Sequence, residues 1–157
     1  MIRVARHDEA DALLRIQREA AVAAFAHVFP QDRFPFPDDA VRESWRRALD
    51  SPDVEVYVAE HDGEPVASVS VGDGFLRTLY VLPSQQGIGI GSALHDQALD
   101  RLRAHGVDEA KLWTLEANCA ARRFYERRGW RLNGETRIVE FPPHPLDVGY
   151  SRPTETD

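Results

Sequence analysis

The sequence predicts a mixed α/β fold built on one mostly antiparallel sheet with helices on its flanks. Three observations predict it. The apolar period is helical as far as Leu49 and changes to alternation after Ser51-Pro52. Glycine turns at His61-Asp62-Gly63-Glu64 and Gly72-Asp73-Gly74 separate three alternating runs, which is the pattern of an antiparallel meander. From Pro83 onward the chain reads as glycine-rich loop, helix, strand and helix, so the architecture is neither a Rossmann alternation nor an all-β sandwich.

Each element has its own signal. Ile2–Ala5 is a short strand with Ile2 and Val4 on one face, and Asp8 is placed to cap a helix carrying Ala12, Leu13, Ile16 and Ala20. Three prolines in the stretch from Phe29 to Pro37 exclude a helix there. Asp38 or Asp39 is expected to cap a second helix through Val41, Trp45 and Leu49. Val54, Val56 and Val58 open the meander, Val66–Val71 returns, and Phe75–Val81 is its third strand. The helix after the loop carries Ile90, Leu94, Ala98 and Leu102 and ends at His105-Gly106. Ala110–Leu115 is apolar nearly throughout, as a central strand covered on both faces must be. Asn118 caps a short helix bearing Ala121, Phe124 and Tyr125 that stops at Gly129. Trp130–Leu132 and Thr136–Phe141 are expected to close as a hairpin around Asn133-Gly134. After Pro142, Pro143 and Pro145 a last strand lies near Val148–Tyr150. The order is β-α-α-β-β-β-α-β-α-β-β. A single domain is expected over residues 1–152, followed by a short polar tail, 153–157.

Composition narrows the function. The chain of 157 residues holds 19 Lys and Arg against 26 Asp and Glu, a formal charge of −7, which speaks against a phosphate-gripping nucleic-acid binder. Cys119 is alone, so the chain can form no internal disulfide and no cysteine zinc site, and a reducing cytoplasm is the expected compartment. The amino end lacks an apolar signal core, and no stretch approaches the roughly 18 apolar residues of a membrane span. Neither a membrane nor a nucleic acid is expected as partner. The six histidines show no metal-binding spacing, so no metal is expected.

Chemistry concentrates in Leu79-Tyr80-Val81-Leu82-Pro83-Ser84-Gln85-Gln86-Gly87-Ile88-Gly89-Ile90-Gly91-Ser92. Glycines at alternate positions leave main-chain N–H groups uncovered, and a helix starting there adds unpaired donors and a positive dipole end. Together they suit a phosphate or pyrophosphate. Two familiar nucleotide motifs fail: Ser92 stands where a dinucleotide loop needs its third glycine, and no lysine lies near enough for a P-loop.

The segment Gln86-Gly87-Ile88-Gly89-Ile90-Gly91 is similar to the acetyl-CoA signature of the GNAT N-acetyltransferase superfamily, Gln/Arg-x-x-Gly-x-Gly/Ala. The likeness takes in the preceding strand, Leu76–Pro83, and the later block from Leu112 to Trp130, where Asn118 is followed seven residues on by Tyr125 before Gly129-Trp130. It covers about residues 66–132 strongly, and a GNAT-like fold is what it implies for the chain. It further implies acetyl-CoA as co-substrate. The amides of Gly87, Ile88, Gly89, Ile90 and Gly91, with Gln86 and Ser92 beside them, would hold the pyrophosphate. The main chain of the Leu79-Tyr80-Val81 segment, beside a bulge, would pair with the pantetheine arm through Leu79 and Val81, and Asn118 would hydrogen-bond that arm. Tyr125 would stand near the thioester sulfur as general acid.

By this resemblance the protein moves an acetyl group to a primary amine, carried by a small molecule, a peptide or a protein; a homodimer is a compatible assembly. The general base is left open. Relatives place a Glu early in the strand before the loop, where this chain has Phe75; Asp73, Glu116 or a water molecule are the alternatives. That departure also keeps a second reading, a non-catalytic acyl-CoA-binding module. Acceptor choice is expected from Ala24–Leu49, where His27 lies, and from Pro142–Pro145.

Overall fold

Strand β1 (Ile2–Val4) and helices α1 (Ala10–Phe25) and α2 (Asp38–Asp50) open the chain in the computed structural model, which describes residues 1–155. The start of α1 differs from expectation. Glu9, not Asp8, holds the cap position, with no side-chain cap bond; its carboxylate takes Arg3 at 2.7 and 2.8 Å and the Arg6 N–H at 2.7 Å. The longer side chain thus clamps β1 to the helix, a reach Asp8 lacks. Asp38 and Asp39 likewise sit inside the first turn of α2, behind Pro37, where carboxylates favour the helix dipole without capping.

The meander follows as β2 (Val54–His61), β3 (Glu64–Gly72) and β4 (Phe75–Val81). Both of its turns place an Asp and then a Gly at positive φ, 53° and 78° at Asp62-Gly63 and 53° and 82° at Asp73-Gly74. This left-handed pair matches the twist of an antiparallel hairpin. Then come α3 (Ile90–Ala104), β5 (Glu109–Leu115), α4 (Cys119–Glu126), β6 (Arg131–Ile138) and β7 (Leu146–Pro153). All strands join one sheet in the order β1-β2-β3-β4-β5-β7-β6, with β4 and β5 its one parallel pair.

The closing hairpin expected at Asn133-Gly134 is not formed. β6 runs straight through that site as one strand with a bulge, its register against β7 jumping between Leu132 and Thr136. Asn133 Oδ1 accepts the Glu135 N–H at 2.9 Å, so the Asn side chain closes a local turn within the strand. Gly149 opposite leaves room for it: a Cβ there would meet Asn133 Oδ1 at 2.6 Å. The chain reverses instead at Phe141–Pro145, and the last strand is longer than expected. It continues to Pro153, and Thr154 is buried with its hydroxyl donating to Val107 O at 2.7 Å. A tail beginning at 153 is therefore anchored in the fold at its first two residues, while residues 156 and 157 lie outside the described residues.

Burial on both sheet faces explains the apolar strands. One core layer joins Val69, Val71, Leu112 and Tyr150 to Leu94, Leu102 and Trp130 under α3 and α4. The other joins Val56 and Val58 to Leu13, Leu14, Val41 and Trp45 under α1 and α2.

Candidate active site

The sheet opens between β4 and β5. Their ladder has one paired position, Phe75 opposite Lys111, and the remainder of β4 has β3 alone for a neighbour. The pairing with β3 fixes what β4 offers to the gap. Leu82 donates its N–H to Val66 O at 2.9 Å while Val81 stands opposite Ala67. Main-chain groups of successive residues point to opposite edges in an antiparallel ladder. Tyr80 therefore turns its N–H and C=O toward β3, and Leu79 and Val81 turn theirs into the gap. A bulge lies upstream of these residues, where the register shifts between Ser70 and Val71 and leaves Arg77 as the extra residue of β4. Val81 O already accepts Gln86 Nε2 at 3.1 Å. Tyr80, grouped with Leu79 and Val81 from the sequence, contributes instead a side chain on the α1–α2 face.

The gap runs into the glycine loop. After one 3-10 turn at Pro83–Gln85, Gly87 and Gly89 take φ of 81° and 91°, and Gly89 leads directly into α3. A Cβ at either position would meet nothing within 4 Å, so it is the backbone conformation that selects glycine. Among the described residues, the six N–H groups from Gly87 to Ser92 have no protein acceptor. Ile88 and Ile90 lend only their amides, since the side chain of Ile88 is exposed and that of Ile90 packs against the core. Six free donors at a helix N-terminus form a cradle for an anion.

Arg128 completes that cradle, and the sequence reading missed it. Its guanidinium lies 3.6 Å from the Phe124 ring centroid, donates to Phe124 O at 2.9 Å and bonds Ser92 Oγ. Three contacts hold the cation beside the loop before any ligand arrives. The four-residue spacing from Phe124 to Arg128 on a helix was the signal available.

A cavity of about 1210 Å³ passes through the gap and opens on both sheet faces. Its loop side is walled by Leu79, Val81, Gly87, Ser92, Asn118 and Tyr125. Asn118 caps α4, with Oδ1 accepting the Ala121 N–H at 3.2 Å, and leaves its amide N–H groups for the cavity. Tyr125 is buried between Phe124 and Trp130, with ring centroids at 5.3 and 5.9 Å. Its hydroxyl has no hydrogen-bond partner among the described residues. Burial, and then the neighbouring Tyr80, push its pKa above the ordinary tyrosine range, so it remains a proton donor.

On the other side the wall is α1, the Phe29–Pro37 segment and the ends of β6 and β7, which includes both regions expected to choose the acceptor. His27 is exposed and outside this wall. So are the carboxylates considered as bases. Asp73 sits in the hairpin turn at the far end of β4, and Glu116 is exposed beyond β5. Asp147 of β7 lines the cavity instead, buried and bonded to Arg137 at 2.9 Å. Its charge, after burial, helps push Tyr80 up to about 12. No spacing in the sequence singles Asp147 out, because its neighbour Arg137 joins it only through the β6–β7 register.

The Acetyltransferase (GNAT) family model matches residues 12–130. The chain belongs to the GNAT acetyltransferase family. Its curated GNAT relatives include a mycothiol acetyltransferase of Beutenbergia cavernae, 45% identical over 74 residues, which are 44% of this chain and 25% of that protein. The chain thus spans about a quarter of that relative's length. An uncharacterized N-acetyltransferase of Archaeoglobus fulgidus is 29% identical over 141 residues, covering 83% of this chain and 92% of that one. Among solved structures, the PaiA N-acetyltransferase from Thermoplasma acidophilum in complex with coenzyme A superposes with a TM-score of 0.76 at 16% identity, over 98% of both chains. The mixed sheet flanked by helices is therefore the GNAT fold.

Proposed function

We propose that the protein is an acetyl-CoA-dependent N-acetyltransferase that acts on a primary amine, of a small molecule or of a peptide or protein, by direct transfer within a single domain. One observation carries the reading: the unpaired edge of β4 leads from six acceptor-free amides at one end to a buried tyrosine hydroxyl at the other. The residues fit the co-substrate part by part. The amides of Gly87–Ser92 and the Arg128 guanidinium suit a diphosphate, and the edge of Leu79 and Val81, with the Asn118 amide, suits an arm rich in peptide-like groups.

Acetyl-CoA, when bound, supplies an activated acetyl thioester. Over the reaction an N–C bond forms and a C–S bond breaks. The acceptor arrives as an ammonium and sheds two protons, one of which ends on sulfur and one in solvent. Tyr125 delivers the proton to the sulfur from its hydroxyl, which its apolar setting keeps protonated, and one of the amine's two protons restores it. Exposed Cys119 needs no role as nucleophile, and a free thiol fits the cytoplasmic location we assign.

Thiol release from acetyl-CoA over a panel of amines tests the proposal, with turnover of at least one amine as the expected result. Thermal stabilisation by acetyl-CoA without thiol release for any amine would favour an acyl-CoA-binding module, the reading that Phe75 supports by standing where relatives carry a Glu.

A further inference from the structure

The α1–α2 side of the cavity is rich in aromatic side chains. Phe25, Phe29, Phe34, Phe36, Phe141 and Trp113 surround it, and among the described residues Asp147 is the one carboxylate on the cavity wall. Its side chain is 11% exposed. One oxygen, Oδ2, accepts from Arg137 Nε at 2.9 Å; the other, Oδ1, has no donor among the described residues. Arg137 is in turn held over Trp113, its Cζ 4.6 Å from the ring centroid. The other arginines on this side, Arg33 and Arg77, are exposed at the rim. That oxygen faces the cavity and is not among the buried atoms without a partner, so it is free to accept from a cationic donor of the ligand.

We infer that the acceptor is an arylalkylamine in chemical class: a primary ammonium that donates to Asp147 Oδ1, on a flat apolar body packed among the phenylalanines. This rests on the N-acetyltransferase reading and adds the substrate class to it. Aromatic walls bury a ring well and offer the several hydroxyls of a sugar amine few partners beside Gln17, Thr114 and the rim arginines. A polyamine would find one carboxylate for several charges.

The test is calorimetric titration of amines into protein saturated with coenzyme A, so that it does not depend on turnover. 2-Phenylethylamine is expected to bind at least about tenfold more tightly than glucosamine or an alanine-initiated peptide. Asp147→Asn is expected to weaken 2-phenylethylamine about tenfold or more and to leave coenzyme A binding unchanged. Arg137→Gln separates recognition from scaffolding: it frees the second oxygen, so the amine is expected to bind as tightly as before or better. Equal losses in both variants, or glucosamine or the peptide binding as well as the arylalkylamine, would overturn the inference while leaving the acetyltransferase reading intact. Failure of coenzyme A itself to bind the wild-type chain would overturn both.

Discussion

The two sides of the cavity offer a ligand different kinds of group. On the loop side the free groups are main-chain N–H and C=O, presented by Leu79, Val81 and the run from Gly87 to Ser92. On the acceptor side they are side chains, five phenylalanines, Trp113 and Asp147, presented by elements far apart in sequence. Main-chain recognition depends on local conformation, so it leaves a contiguous trace of glycines. Side-chain recognition depends on tertiary assembly and leaves no such trace.

The largest effect that sharpens this contrast is expected from Gly89→Val. Valine resists a φ of 91°, and the amides would turn out of line. Acetyl-CoA binding is expected to weaken by about two orders of magnitude or more, measured calorimetrically, in a protein whose circular dichroism is unchanged. Normal binding in this variant would break the assignment of the loop. Tyr125→Phe comes next: turnover on the best amine is expected to fall about a hundredfold with the acetyl-CoA Kd unaltered. Because the phenol's pKa is raised by burial, its proton is retained as pH climbs through 10, and no alkaline loss of rate below that pH should trace to this group. A limb that vanishes from the pH profile in Tyr125→Phe would contradict that.

Arg128→Gln tests the one side-chain cation on the main-chain side. The expected loss in acetyl-CoA affinity is about tenfold, with a shallower dependence on salt, because the amides remain. The smallest effect belongs to a control remote from both sides. Glu55 is held at about 2, chiefly by the Arg101 hydrogen bond, with Tyr57 and His105 also bonded to it. A carboxylate with a depressed folded pKa stabilises above its unfolded value and loses that contribution as pH falls toward 2. The ion pair is partly exposed, so Glu55→Gln is expected to cost at most about 1 kcal/mol near neutral pH, with ligand binding unchanged. Acid melts of both proteins should converge toward pH 2.

Element order was legible in the sequence because periodicity and Asp-Gly turns are local signals, and so were the amide cradle and the Asn118 cap. Three features were not. Asn133-Gly134 carries a hairpin signal, yet its Asn closes a bulge opposite Gly149, a partner 16 residues away that only the β7 register supplies. The cap of α1 went to Glu9 because Arg3 on β1 competes for it. Asp147 became a wall of the cavity through strand pairing with Leu115 on one side and Arg137 on the other. Each depends on a contact between residues distant in the chain.

The extra residue Arg77 in β4 carries a consequence for how this gene can change. Leu79 and Val81 serve through atoms that every amino acid except proline possesses, so a saturation library at either position should retain most of its members as acetyl-CoA binders. Removing the single codon for Arg77 alters no group proposed to touch the co-substrate. The pairs that flank it, Leu76 with Val71 and Thr78 with Ser70, would then follow one another in an unbroken ladder, so Tyr80 stays opposite Ser68 and Leu79 and Val81 keep facing the gap. At this edge the pairing with β3 holds the proposed binding groups in place, so substitution at Leu79 or Val81 and deletion of Arg77 are both expected to leave acetyl-CoA binding intact, as calorimetry would check.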